Sequence, residues 1–173
     1  TDGPLNITLN CWAAESGVGQ VAIRGNVRTA GGDFILGGGA DPLTTAAYDT
    51  SHEAVYIYDG TIDAAGGDVS ILARGNDDTS SLLELNDSLI KTAGSGNITI
   101  SAVNLYDTAD RDGAAVYLNN ARIQTESGDI SLYGETDGQS DAHHDFADAI
   151  YTAPGSSLAI VSKTGDITVE GRN

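Results

Sequence analysis

Cations are what this chain lacks most: eight Lys and Arg stand against 25 Asp and Glu, a formal charge of −17. Neutralising phosphates needs clustered cations, so nucleic acid is excluded as a partner. The same shortage argues against docking on an anionic membrane through a basic face. Apolar runs are short too, none approaching the ~18 residues of a membrane span, so direct membrane insertion is not expected. A single cysteine, Cys11, rules out an internal disulfide framework. Methionine is absent and the chain opens Thr1-Asp2-Gly3-Pro4, which reads as a mature piece or an excised segment in which no signal peptide survives to be read. Proline is scarce at three residues, whereas glycine reaches 22 of 173, about twice its usual share. A hydrophobic content of 40% is enough for a core and excludes a disordered acidic tail. The length suits one domain.

What is present is a repeat. Gly32-Asp33-Phe34-Ile35-Leu36, Gly67-Asp68-Val69-Ser70-Ile71, Gly96-Asn97-Ile98-Thr99-Ile100, Gly128-Asp129-Ile130-Ser131-Leu132 and Gly165-Asp166-Ile167-Thr168-Val169 share one template, and Asn6-Ile7-Thr8-Leu9 is a sixth copy without the glycine. The glycines lie 35, 29, 32 and 37 residues apart, so a fixed frame carries variable inserts. Val27, Ile62, Ile123 and Ile160 each stand five residues before a template glycine, and Ile90 stands six before Gly96. Earlier still come short alternating strands: Val21-Ala22-Ile23, Val55-Tyr56-Ile57, Leu83-Glu84-Leu85, Val116-Tyr117-Leu118 and Ile150-Tyr151-Thr152. Pairs such as Asp59-Gly60, Asn86-Asp87 and Asn119-Asn120 are turn formers that tolerate positive φ.

Period-two alternation gives each strand one buried and one exposed row. Ile7, Phe34, Val69, Ile98, Ile130 and Ile167 form one expected core column; Leu9, Leu36, Ile71, Ile100, Leu132 and Val169 form a second. The Val27 series forms a third. Cys11 falls where the other repeats carry Gly38, Ala73, Ala102, Gly134 and Gly171, a small buried position. No stretch keeps a helical period for long. The pattern predicts an all-β chain: a right-handed parallel β-helix, or solenoid, of about six coils with long loops on one edge. Residues 1–173 form a single domain. Full strand motifs at both limits read as a segment of a longer repeat array, whose neighbouring coils are the first expected partners.

Ala115-Val116-Tyr117-Leu118, Ala121-Arg122-Ile123-Gln124-Thr125 and Gly128-Asp129-Ile130-Ser131-Leu132 resemble the repeats of filamentous-haemagglutinin-like exoproteins. So do residues 55–73 and 83–102. The resemblance runs over residues 5–171 and implies a large bacterial adhesin, secreted or held at the cell surface, exported by two-partner secretion. Fold does not imply function, so sites must be argued from their own residues.

The inserts are 14–20, 37–53, 74–81, 103–113 and 133–148, and a solenoid brings them to one edge. The last four hold Asp41, Asp49, Glu53, Asp77, Asp78, Asp107, Asp110, Asp112, Glu135, Asp137, Asp141, Asp145 and Asp148, which is 13 of the 25 acids, together with all three histidines. Calcium, which takes oxygen ligands, is the candidate cofactor, and Asp77, Asp78, Asp107, Asp110 and Asp112 are its candidate ligands. Solvated acids that keep a shaft soluble explain the same composition. Asp141-Ala142-His143-His144-Asp145 offers zinc-type donors, but adjacent residues of an extended stretch point apart. Tyr56, Tyr117 and Tyr151 share one outward position, held by Glu84 and Ala22 in other coils, and are candidates for contact with a sugar ring. β-Propensity accounts for them equally well. The Asn6, Asp33, Asp68, Asn97, Asp129, Asp166 series reads as corner residues bonding backbone two residues on.

The sequence reading is therefore a non-catalytic shaft that presents acidic loops to a glycan or a host or partner-cell surface protein. A calcium-dependent carbohydrate-binding module is the alternative. A polysaccharide lyase or hydrolase is the second, disfavoured because the cations look scattered and do not converge with acids.

Overall fold

The computed structural model describes residues 3–11, 19–50, 52–76, 81–105, 113–136 and 148–173. Fifteen strands run in chain order: β1 (Ile7–Cys11), β2 (Val21–Arg28), β3 (Phe34–Gly38), β4 (Ala47–Asp49), β5 (Val55–Asp63), β6 (Val69–Gly75), β7 (Leu83–Asn86) and β8 (Leu89–Lys91). They continue with β9 (Ile98–Asn104), β10 (Val116–Asn119), β11 (Arg122–Thr125), β12 (Ile130–Thr136), β13 (Ile150–Thr152), β14 (Ala159–Ser162) and β15 (Ile167–Arg172). Every strand pairing is parallel, and no helix occurs among the described residues. The chain is a parallel β-solenoid.

Each circuit crosses three faces. The first stacks β1-β3-β6-β9-β12-β15. The second sheet, β13-β10-β7-β5-β8-β11-β14, folds along the corner at Asp59-Gly60, because β5 runs through both halves. Its upstream half is the second face and its downstream half the third. Those two faces each stack five strands through four pairing steps, so the rod is about four turns high rather than six coils. Counting one column of strands overstates the turns, because strands bound circuits.

The core columns stack like on like. Phe34, Val69, Ile98 and Ile130 pair in register on the first face, as do Leu36, Ile71 and Ile100, all essentially inaccessible. Val55, Leu83 and Val116 do so on the second, and Ile62, Ile90 and Ile123 on the third. Each such side chain contributes about 1.5–3 kcal/mol of burial. Cys11 pairs with Gly38, is buried as expected, and points its thiol at the Gly19 carbonyl. Burial, reinforced by the charge of Asp49, raises its pKa, which suits an inert filler.

Corners follow from backbone chemistry. Asp59, Asp87 and Asn120 hold φ of +49°, +47° and +48° at the corner between second and third faces, the left-handed region Asn and Asp tolerate. The recurring glycines serve another purpose. A Cβ on Gly67 would sit 2.1 Å from the Gly32 carbonyl oxygen, and one on Gly128 1.9 Å from that of Gly96. They let the backbones of successive coils touch.

The Asp and Asn following each glycine bond differently from expectation. Asn6 Oδ1 accepts from the Asp33 N–H at 2.9 Å, Asp33 from Asp68 at 2.9 Å, and Asp68 from Asn97 at 2.7 Å. Asn97 accepts from Asp129 and Asp129 from Asp166, both at 2.9 Å. The partner is the same position one coil on, not the backbone two residues on, because stacking brings that N–H closer. A row of hydroxyls parallels it: buried Thr92 and Thr125 and half-buried Ser162 donate to Gly67, Gly96 and Gly128 carbonyls at 2.6, 2.9 and 3.0 Å.

The inserts begin later than the sequence suggests, because β6, β9 and β12 run on to Gly75, Asn104 and Thr136. Within 37–53 the chain returns to the first face as β4, which pairs Ala47 with Ala73 and Asp49 with Gly75. It takes over the pairing of β6 beyond Leu36, where β3 stops following it.

Candidate functional site

On the second face the outward row reads Ala22, Tyr56, Glu84, Tyr117, Tyr151, in register across neighbouring strands. Tyr117 and Tyr151 stack with centroids 5.7 Å apart, and Tyr56 stacks on Tyr58 at 5.9 Å. The Arg24 guanidinium lies 5.8 and 5.4 Å from the Tyr56 and Tyr58 centroids. Each of these rings therefore spends one face on a neighbouring ring, and Tyr56 and Tyr58 also meet the Arg24 cation. Half-buried Glu84 sits between Tyr56 and Tyr117 in the row. Burial, helped by the charge of Glu53, pushes its pKa up against a lowering hydrogen bond from Asn86. Burial and then Glu84 raise both tyrosine hydroxyls.

Asp77, Asp78, Asp107, Asp110 and Asp112 lie outside the described residues, as do Asp137, Asp141, His143, His144 and Asp145. Among the described residues no group of three metal-ligating side chains occurs. Four of the described insert acids are engaged locally. Asp49 is buried and accepts from the His52 N–H at 3.1 Å. Asp41 takes the Leu43 N–H at 3.2 Å and the Thr44 hydroxyl at 3.0 Å. Glu53 accepts from Gln20 at 2.9 Å, and Glu135 from the Tyr133 hydroxyl.

The third face corrects the expectation that cations stay apart from acids. Its outward row is Arg28, Asp63, Lys91, Gln124, Val161. Buried Asp63 takes Lys91 Nζ at 3.0 Å, Arg28 at 3.2 Å and the Ala65 N–H at 3.1 Å. Burial opposes ionisation, but Lys91, then Ala65 and Arg28, outweigh it and hold the carboxyl below its usual range. Alongside, Glu126 accepts the Gly94 N–H at 3.0 Å and Lys163 at 3.2 Å, which lower its pKa. Arg122 donates Nε to Gln124 at 2.8 Å. Lys91, Arg122, Lys163, Asp63 and Glu126 all line one cleft of about 250 Å³. The signal was in the sequence, because Arg28, Asp63 and Lys91 directly follow the core residues Val27, Ile62 and Ile90.

The fold defines the class, a parallel β-solenoid with charged and aromatic outward rows. No family model, curated protein or solved structure matches the chain.

Proposed function

We propose that this chain is a non-catalytic structural and adhesive segment of a large secreted or cell-surface bacterial protein of the filamentous-haemagglutinin-like kind. It acts as a stiff shaft whose acidic inserts make contact with a glycan or a surface protein. One observation carries the reading. The chemistry that recurs in every coil is spent on joining coils: the glycine contacts, the Asp/Asn ladder and the aliphatic columns. Outward positions, by contrast, change from coil to coil, as Tyr56, Glu84 and Tyr117 do. A shaft needs the first and a contact surface uses the second.

The test is binding of the chain to a glycan array and to cultured cells, with each insert replaced in turn by a short Asn-Gly turn. Replacement of residues 137–147 or 77–80 is expected to weaken binding at unchanged melting temperature. Binding indifferent to every insert, or turnover of a polysaccharide, would overturn the proposal. Calcium enters as a cofactor only through Asp77, Asp78, Asp107, Asp110 and Asp112. A chelator-reversible rise in melting temperature is the sign of it, since a ligand at a hundred times its Kd adds about 2.7 kcal/mol.

A further inference from the structure

The third face gathers cations in a chain that is otherwise acidic. Four of the eight cations of the chain, Arg28, Lys91, Arg122 and Lys163, lie on it or at its downstream corner. Circuit order places them well. The acidic inserts leave between the first and second faces, and the third face is the one that does not border that corner. Charges across the rod are screened beyond about 8 Å at physiological salt. The cleft therefore feels chiefly the charges that line it, the cations Lys91, Arg122 and Lys163 and the acids Asp63 and Glu126.

Within the cleft the cations are not equivalent. Lys91 is committed to buried Asp63, and Lys163 is shared with Glu126. Arg122 is exposed and uses only Nε, toward Gln124, so among the described residues its two terminal nitrogens have no partner. Gln124 fixes the guanidinium plane and leaves its outer edge free. A planar fork with a free edge takes a carboxylate or sulfate oxygen pair, with exposed Lys163 beside it as a second donor.

We propose that this cleft binds the anionic group of an acidic polysaccharide, a uronate carboxylate or a sulfate ester, with Arg122 as the fork and Lys163 as the adjoining charge. A duplex nucleic acid or a membrane would need an extended basic surface, which a chain of charge −17 does not offer. A flexible glycan can place single charges in a cleft of this size. The site goes beyond the proposed contact through the inserts and stands or falls separately from it.

The test is binding of the whole chain to polygalacturonate, dextran sulfate and neutral dextran at low and high ionic strength. Arg122→Gln and Lys163→Gln, alone and combined, are the probes, and Arg172→Gln is the control that removes the same charge elsewhere. Lys91 is left intact because it neutralises Asp63. The expected result is salt-sensitive binding to one or both polyanions, and whichever binds names the group. Affinity should fall at least tenfold in the double variant, with Arg172→Gln and the melting temperature unaffected. The proposal is overturned if neither polyanion binds at low salt, or if the double variant binds as well as the parent. It is overturned too if the substitutions instead abolish a salt-sensitive self-association, which would assign the cleft to acidic segments of a second copy.

Discussion

Gly128→Ala tests the idea that the recurring glycines exist for coil contact rather than for backbone freedom. A Cβ there would meet the Gly96 oxygen at 1.9 Å, the Gly96 carbonyl carbon at 2.5 Å and the Ser95 oxygen at 2.9 Å. All three are backbone atoms, so no side chain can swing away. Restoring even a 3.0 Å separation means moving one coil against the next by about 1.1 Å. That shift stretches bonds crossing the same step: Thr125 to Gly96 at 2.9 Å, Asp129 to Asn97 at 2.9 Å, and Ile98 to the Asp129 carbonyl at 2.9 Å. Overpacking costs about 1–3 kcal/mol, and weakening two or three bonds worth about 1 kcal/mol each brings the total to about 3–6 kcal/mol. Against a domain stability of about 5–15 kcal/mol, that is a large fraction.

Gly66→Ala is the counterpart. Its φ is +124° but nothing lies within 4 Å of its Cβ, so only backbone strain acts, about 1–3 kcal/mol. Urea unfolding followed by far-ultraviolet circular dichroism reads both variants. The midpoint of Gly128→Ala should fall well below that of Gly66→Ala. If Gly128→Ala came within about 1 kcal/mol of the parent, the contact reasoning would be refuted.

Three further outcomes follow from the same stacking. Asp129→Ala removes the acceptor of the Asp166 N–H and should cost about 0.5–1.5 kcal/mol in urea, whereas Asp129→Asn should be nearly silent because Asn97 fills the same role. Asp63 is held below its unfolded pKa, so its pairing stabilises the fold above about pH 4 and the gain is lost as pH falls through the folded value. Asp63→Asn should therefore lower the melting temperature at pH 7, with the deficit shrinking in acid. Glu84 has the opposite sign: its raised pKa means the folded state binds the proton more tightly, so stability falls as pH rises through that range. Glu84→Gln keeps an oxygen for Asn86 and should raise the melting temperature at pH 7, with the gain vanishing in acid.

How far the structure was legible depends on whether like residues meet like. A parallel solenoid places Ile98 beside Val69 and Ile130, so each core column could be read by aligning the chain on Gly67, Gly96 and Gly128. The corner at Asp59, Asp87 and Asn120 was legible because its cause, a positive φ, is local. What escaped were interactions whose partners differ in type and lie a whole coil apart. Asp63 meets Arg28 and Lys91 across 35 and 28 residues of sequence, and no spacing rule within one repeat joins them. The Asp/Asn ladder reads as local in the sequence because a short side chain usually finds a partner nearby, whereas stacking supplies a nearer N–H one coil on. The strand β4 was missed for a related reason, since Ala47-Tyr48-Asp49 carries no template and pairs only because β3 turns off the sheet.

The same distinction separates shaft from surface. Positions that face their own kind in the next coil must keep one residue type, and glycine, Asp or Asn, and aliphatics do so. Outward positions carry no such demand, so a change of type along a row is where contact chemistry can accumulate without loosening the stack. The sequence Arg28, Asp63, Lys91, Gln124, Val161 is such a row, passing from paired charges to an exposed apolar side chain over a few coils. Substitutions at Arg122, beside that row, should therefore alter binding and leave stability alone, whereas substitutions at Ile123, one residue on and fully buried, should do the reverse. Ile123→Ala is expected to cost about 2–5 kcal/mol in the urea assay. A binding loss in Ile123→Ala, measured where that variant is still folded and matching the loss in Arg122→Gln, would show that stack and surface are not independent.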